Sequence, residues 1–130
     1  MKNIISKSIM YLYYLSLIIL LIIYLFPGSI IGYLLYTDLG KQPNIVNNPI
    51  GTSINHFLYF FFLTFIGLIY DLSKKKFTSS FLFLFLLSCF LELLHFLIPN
   101  RAFELNDLLA NIAGVVSVFF LFKLIKKFIL

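Results

Sequence analysis

Tryptophan is absent from this chain and cysteine occurs once. With no second cysteine, Cys89 cannot form an intramolecular disulfide, and the redox compartment cannot be read from it. Without tryptophan, the usual marker of a membrane–water interface is missing. Eight tyrosines stand in its place: Tyr11, Tyr13, Tyr14, Tyr24, Tyr33, Tyr36, Tyr59 and Tyr70, mostly near the ends of apolar runs. Charge is also scarce. Only 12% of the 130 residues are charged and five are acidic, against 62% hydrophobic residues and a mean hydropathy of +1.04. A soluble domain of this length cannot hide so much apolar surface in one core, whereas a bilayer can. The same balance excludes a disordered chain and a disulfide-rich secreted scaffold. Internal repeats, low-complexity tracts and a soluble domain are all missing, so residues 1–130 read as one membrane domain.

What is present is four apolar runs, at residues 9–26, 54–70, 79–98 and 105–122. Each is close to the ~20 residues that cross ~30 Å of hydrocarbon as a helix. An open strand would leave peptide groups unpaired in lipid, so the expected fold is an all-α membrane protein with four transmembrane helices. Lys2 and Lys7 precede the first run as in a leader peptide. That run is longer than a signal core, however, and no small-x-small cleavage site follows it, so an uncleaved helix is expected.

The net charge of +5 would raise the question of nucleic acid in a soluble domain. Here the basic residues flank the apolar runs, which is a topology signal, and no nucleic-acid partner is expected. Lys2, Lys7, Lys74, Lys75, Lys76, Lys123, Lys126 and Lys127 make eight on one side, against Lys41 and Arg101 on the other. The bias places both termini and the middle loop in the cytoplasm, in a multi-pass protein of the cell membrane. The outer loop, residues 27–53, holds Pro43, Pro49, Asn44, Asn47, Asn48 and several glycines, all turn formers. Its first part, residues 30–36, is still apolar, as in a segment that lies in the interface or dips back.

Ionisable groups at membrane depth are costly, so each needs a reason. Glu92 and His95 lie three apart and share a helix face; Asp107 and Asn111 lie four apart and do the same. Glu92 is six residues before the end of its run, roughly 9 Å below the outer boundary, and Asn111 is at a similar depth. His56 stands near the outer start of the second run, and Arg101 lies in the short connection from Pro99 to Glu104. That connection makes an antiparallel hairpin of the last two helices. The polar residues His56, Glu92, His95, Arg101, Asp107 and Asn111 therefore converge on the outer leaflet, while the inner half has almost none.

Two readings of this cluster stand side by side. In one it is an internal network that pins the hairpin, with Asp107 favoured at a helix N-terminus. In the other, Arg101 at headgroup level binds a phosphate, with the acidic residues holding it in place. The lone Glu-x-x-His spacing is a weak metal signal, since a di-iron bundle needs two, and neither metal nor cofactor is expected. Cys89 and Ser88 have no base partner for nucleophilic catalysis, whereas Glu92 with His95 or His56 could exchange protons.

The stretch from Glu92 through His95, Pro99 and Arg101, followed by Asp107, Asn111 and Gly114, resembles the VanZ-like family. Asn55-His56-Phe57 resembles that family's other motif, and the resemblance is strongest over residues 52–122. The chain departs from the pattern in carrying His95 where the family often has Gln, and Thr52-Ser53 where it often has Asp-Lys. The resemblance implies a cell-envelope membrane protein linked to teicoplanin-type glycopeptide tolerance. That phenotype fits the partner the outer-leaflet cluster points to, a membrane lipid or lipid-linked cell-wall precursor, since such drugs act at the outer face. An intramembrane enzyme acting on such a lipid, or a structural subunit of a membrane complex, are the alternatives.

Overall fold

A computed structural model describes residues 2–43, 51–74 and 79–129. The described residues form five helices: α1 (Lys2–Leu25), α2 (Ile30–Tyr36), α3 (Ser53–Ser73), α4 (Ser79–Leu94) and α5 (Leu105–Ile129). Three contain stretches long and apolar enough to cross a membrane: Ile4–Leu25, Ser53–Ser73 and Leu105–Ile125. The third expected run is shorter than the sequence implied. Its regular helix is the 16-residue α4, because the backbone tightens after Leu94. The amides of His95, Phe96 and Leu97 reach back only three residues, to the carbonyls of Glu92, Leu93 and Leu94. The other runs extend past their apolar stretches, since a helix continues into its charged flanks while its peptide bonds still pair.

α1 ends at Pro27-Gly28. Gly28 has φ +101, and a side chain there would meet the Leu39 carbonyl oxygen at 2.9 Å. Ser29 then caps α2, its hydroxyl oxygen accepting from the Gly32 amide at 2.9 Å. The apolar segment after the first run is thus a short helix of its own, with Tyr33, Leu34 and Leu35 exposed. Asn44, Asn47, Asn48, Pro49, Lys75 and Lys76 lie outside the described residues, as do the side chains of Lys2, Lys126 and Lys127.

α3 is the centre of the bundle, packed on α1, α4 and, most extensively, α5. The α3–α5 seam is close enough that a Cβ on Gly114 would come within 2.6 Å of the Phe57 carbonyl oxygen. Small residues drive helix pairing in this way where lipid supplies no hydrophobic force. Phe60, Leu63, Leu84, Leu91 and Val115 fill the interior, whereas large apolar side chains such as Ile18, Phe62, Leu86 and Leu109 point outward. Ser6 Oγ donates to Ser73 Oγ at 3.2 Å, placing the start of α1 beside the end of α3. Ser53 bonds Asp107, placing the starts of α3 and α5 together. α1, α3, α4 and α5 therefore run up, down, up and down. One end carries Lys7, Lys74 and Lys123; the other carries Lys41 and Arg101.

Candidate functional site

At the Arg101 end, α5 presents Asp107 and, one turn deeper, Asn111 toward α3. His56, one turn into α3, meets them, and Tyr24 enters from the end of α1. Tyr24 is the hub. Its hydroxyl lies 2.5 Å from His56 Nδ1 and donates to Asn111 Oδ1 at 2.7 Å. The other ring nitrogen, His56 Nε2, faces Asp107 Oδ2 at 3.4 Å. The second Asp107 oxygen accepts from Ser53 Oγ at 2.5 Å. This hydroxyl stands where the resemblance expects a lysine. The aspartate thus takes a neutral donor from α3.

Glu92 and His95 form a second layer behind this one. Glu92 is fully buried, and its Oε1 faces His95 Nδ1 at 3.2 Å while accepting from the Glu104 amide at 3.2 Å. Glu104 opens α5, because the Asp107 and Leu108 amides both donate to its carbonyl. Glu92 thus ties the end of α4 to the start of α5, as a hairpin pin would. The two layers meet through Tyr24, whose ring stacks on His95 with centroids 5.3 Å apart. Glu92 Oε2, His95 Nε2 and Asn111 Nδ2 are buried without a hydrogen-bond partner among the described residues.

Arg101 departs from expectation. The acidic residues do not hold it. Asn100 takes a left-handed turn (φ 60) after Pro99, a conformation asparagine tolerates. Arg101 is then carried across to α1, where Nη2 donates to the Ile23 carbonyl at 2.7 Å and Nε to the Phe26 carbonyl at 3.3 Å. Free carbonyls at a helix C-terminus attract a cation, which explains the choice. Partial burial lowers the Arg101 pKa, but a guanidinium keeps its charge regardless. Glu104 is raised, by burial first and then by the Asp107 and Glu92 carboxylates.

The guanidinium, His56 and Tyr24 line one cavity of about 140 Å³ between α1, α2 and α3. Ser29 and Asn55 add polar groups to its wall, and Leu20, Ile23, Ile30 and Ile31 add apolar ones. Both His56 nitrogens face partners, the Tyr24 hydroxyl on one side and the Asp107 carboxylate on the other. Among the described residues, no three His, Cys, Asp or Glu side chains converge as metal ligands.

The structure therefore unites five of the six expected residues, in two layers joined by Tyr24, and sets Arg101 at the cavity mouth. Sequence reasoning missed Tyr24 and passed over Ser53. Tyr24 lies three residues before Pro27, level with the other polar groups, and that depth was the available signal. The inner half is less empty than expected: Asp71 is buried at the opposite end, accepting from the Ser80 amide at 2.6 Å and hydroxyl at 2.9 Å. No curated protein and no solved structure matches the chain. The VanZ/LLP1 family matches residues 9–126, nearly the whole length, and the chain belongs to that family.

Proposed function

We propose that this VanZ/LLP1 protein spans the cell membrane four times with both termini in the cytoplasm. Its Arg101 end holds an outer-leaflet lipid headgroup or lipid-linked phosphate, and by doing so contributes to teicoplanin-type glycopeptide tolerance. One observation carries this reading. Arg101 is fixed on α1 through Nε and Nη2 and borders the cavity beside His56 and Tyr24. A guanidinium anchored at the edge of a cavity suits a phosphate oxygen. The family's link to glycopeptide resistance fits an outer-face site, because such drugs act on lipid-anchored precursors there.

The test is the teicoplanin and vancomycin susceptibility of a sensitive bacterium expressing this protein, beside Arg101→Ala at matched membrane levels. Binding of a polyprenyl phosphate to the detergent-solubilised protein is measured alongside. Protection and phosphate binding by the parent, both lost in Arg101→Ala, are expected. A parent that binds no phosphate lipid overturns the ligand reading, and a parent that gives no protection overturns the tolerance reading.

A further inference from the structure

The opposite end of the bundle carries a second cavity, separate from the one at Arg101. α1, α3 and α4 enclose a space of about 360 Å³ there. Its polar wall is formed by Tyr14, Tyr70, Lys74 and Ser79, and its apolar wall by Leu17 and Phe83. Phe83 also lines an open groove along α4 with Leu86, Leu87 and Phe90. Phe83 thus borders both spaces. Ser79, Phe83, Leu86, Leu87 and Phe90 recur at helical spacing and so form one stripe. From Ser79 to Phe90 the stripe runs roughly 16 Å at the helical rise. That is about half the ~30 Å hydrocarbon thickness, the depth of one leaflet.

The charges at the polar end are not equivalent. Asp71 also borders the space, but it is buried and both of its oxygens accept from Ser80. Lys74 is exposed, with its ammonium 4.4 Å from the centre of the Tyr70 ring. The charge presented at the mouth is therefore positive. Beside it stand the exposed Ser79 and the half-exposed Tyr14, each with a hydroxyl able to donate. A cation and hydroxyls at one end of a leaflet-deep apolar stripe match a molecule with an anionic head and a long chain.

We propose that this groove binds one anionic glycerophospholipid. Its phosphate lies against Lys74, Ser79 and Tyr14, and one acyl chain lies along Phe83, Leu86, Leu87 and Phe90.

The experiment is native mass spectrometry of the full chain in detergent, with phosphatidylglycerol and phosphatidylethanolamine of identical acyl chains at equal concentration. The parent should retain phosphatidylglycerol preferentially. Lys74→Gln should reduce that preference about fivefold, the effect of one lysine near an anionic surface. Lys123→Gln removes the same charge from the same end without touching the groove, and should leave the preference intact. Equal retention of both lipids, or equal loss in the two variants, overturns the site. The second measurement needs no variant: a phosphatidylglycerol with a photoreactive mid-chain group, incorporated in vesicles, should label the α4 peptide around Phe83 to Phe90. Labelling spread evenly over the helices overturns the proposal.

Discussion

The Tyr24 hydroxyl sits 2.5 Å from His56 Nδ1, joining helices that begin and end far apart in sequence. It also donates to Asn111 Oδ1 at 2.7 Å, so one phenol bridges α1, α3 and α5. Replacing Tyr24 by Phe keeps the ring stack on His95 but leaves the His56 nitrogen and the Asn111 amide unpaired. Buried groups left unpaired cost about 1–3 kcal/mol. A double-mutant cycle of Tyr24→Phe with His56→Phe, read by thermal unfolding in micelles, should return a coupling of about 0.6–1.7 kcal/mol, the span of such bonds in membrane bundles. Strictly additive losses would mean that the pair is not bonded.

Ser53 offers a test of how the site was adjusted in this chain. Its hydroxyl satisfies Asp107 where the resemblance expects a lysine. Ser53→Ala should destabilise by about 1 kcal/mol through loss of that donor. Ser53→Lys should be tolerated, because an ammonium at the start of a transmembrane helix can reach the aspartate or extend to the interface. Melting temperatures of the two variants decide the matter. A lysine more damaging than alanine would show that the geometry here accepts only a small neutral donor.

Much of this arrangement was legible in the sequence because a charge inside an apolar run is conspicuous. His56, Glu92, Asp107 and Asn111 stand out against Phe and Leu neighbours, and helical spacing alone assigns their faces. Tyr24 did not stand out, since a tyrosine near the end of an apolar run is the ordinary sign of an interface. The partners of Arg101 were hidden for a different reason: they are backbone carbonyls, which every residue has, exposed only because α1 stops at Pro27. The burial of Asp71 depends on its bonds to Ser80, a pairing between two helices that local pattern does not encode. The end of α4 was misplaced because residues 96–98 remain apolar while their backbone has already left the helix.

Gly114 sets how closely α3 and α5 approach, and the bonds of Asp107 and Asn111 lie along the same seam. Gly114→Ala would place a methyl 2.6 Å from the Phe57 carbonyl oxygen and 2.9 Å from the Phe61 amide nitrogen. Neither is the tip of a flexible side chain, so the helices themselves must separate. The expected cost is about 1–3 kcal/mol, as for overpacking in a well-packed core. Phosphate-lipid binding should weaken along with stability, because the shift displaces Asp107 and Asn111 relative to His56. Unchanged melting of Gly114→Ala would mean that the seam is looser than the structure shows.

Glu92 separates a holding role from a proton-transfer role. Its Oε1 accepts from the Glu104 amide and faces His95 Nδ1, and both contacts need an oxygen rather than a charge. Glu92→Gln retains that oxygen at the same reach. It should therefore keep melting temperature, lipid binding and glycopeptide protection close to the parent. Glu92→Leu fills the same space but removes the acceptor, leaving the Glu104 amide and the His95 nitrogen without it. A loss of about 1–3 kcal/mol is expected, by the same reasoning that applies to any buried group deprived of its partner. The decisive outcome is a folded Glu92→Gln protein that has lost protection while still binding lipid. A carboxyl needed only as an acceptor cannot produce that split, whereas one that must give up and regain a proton can.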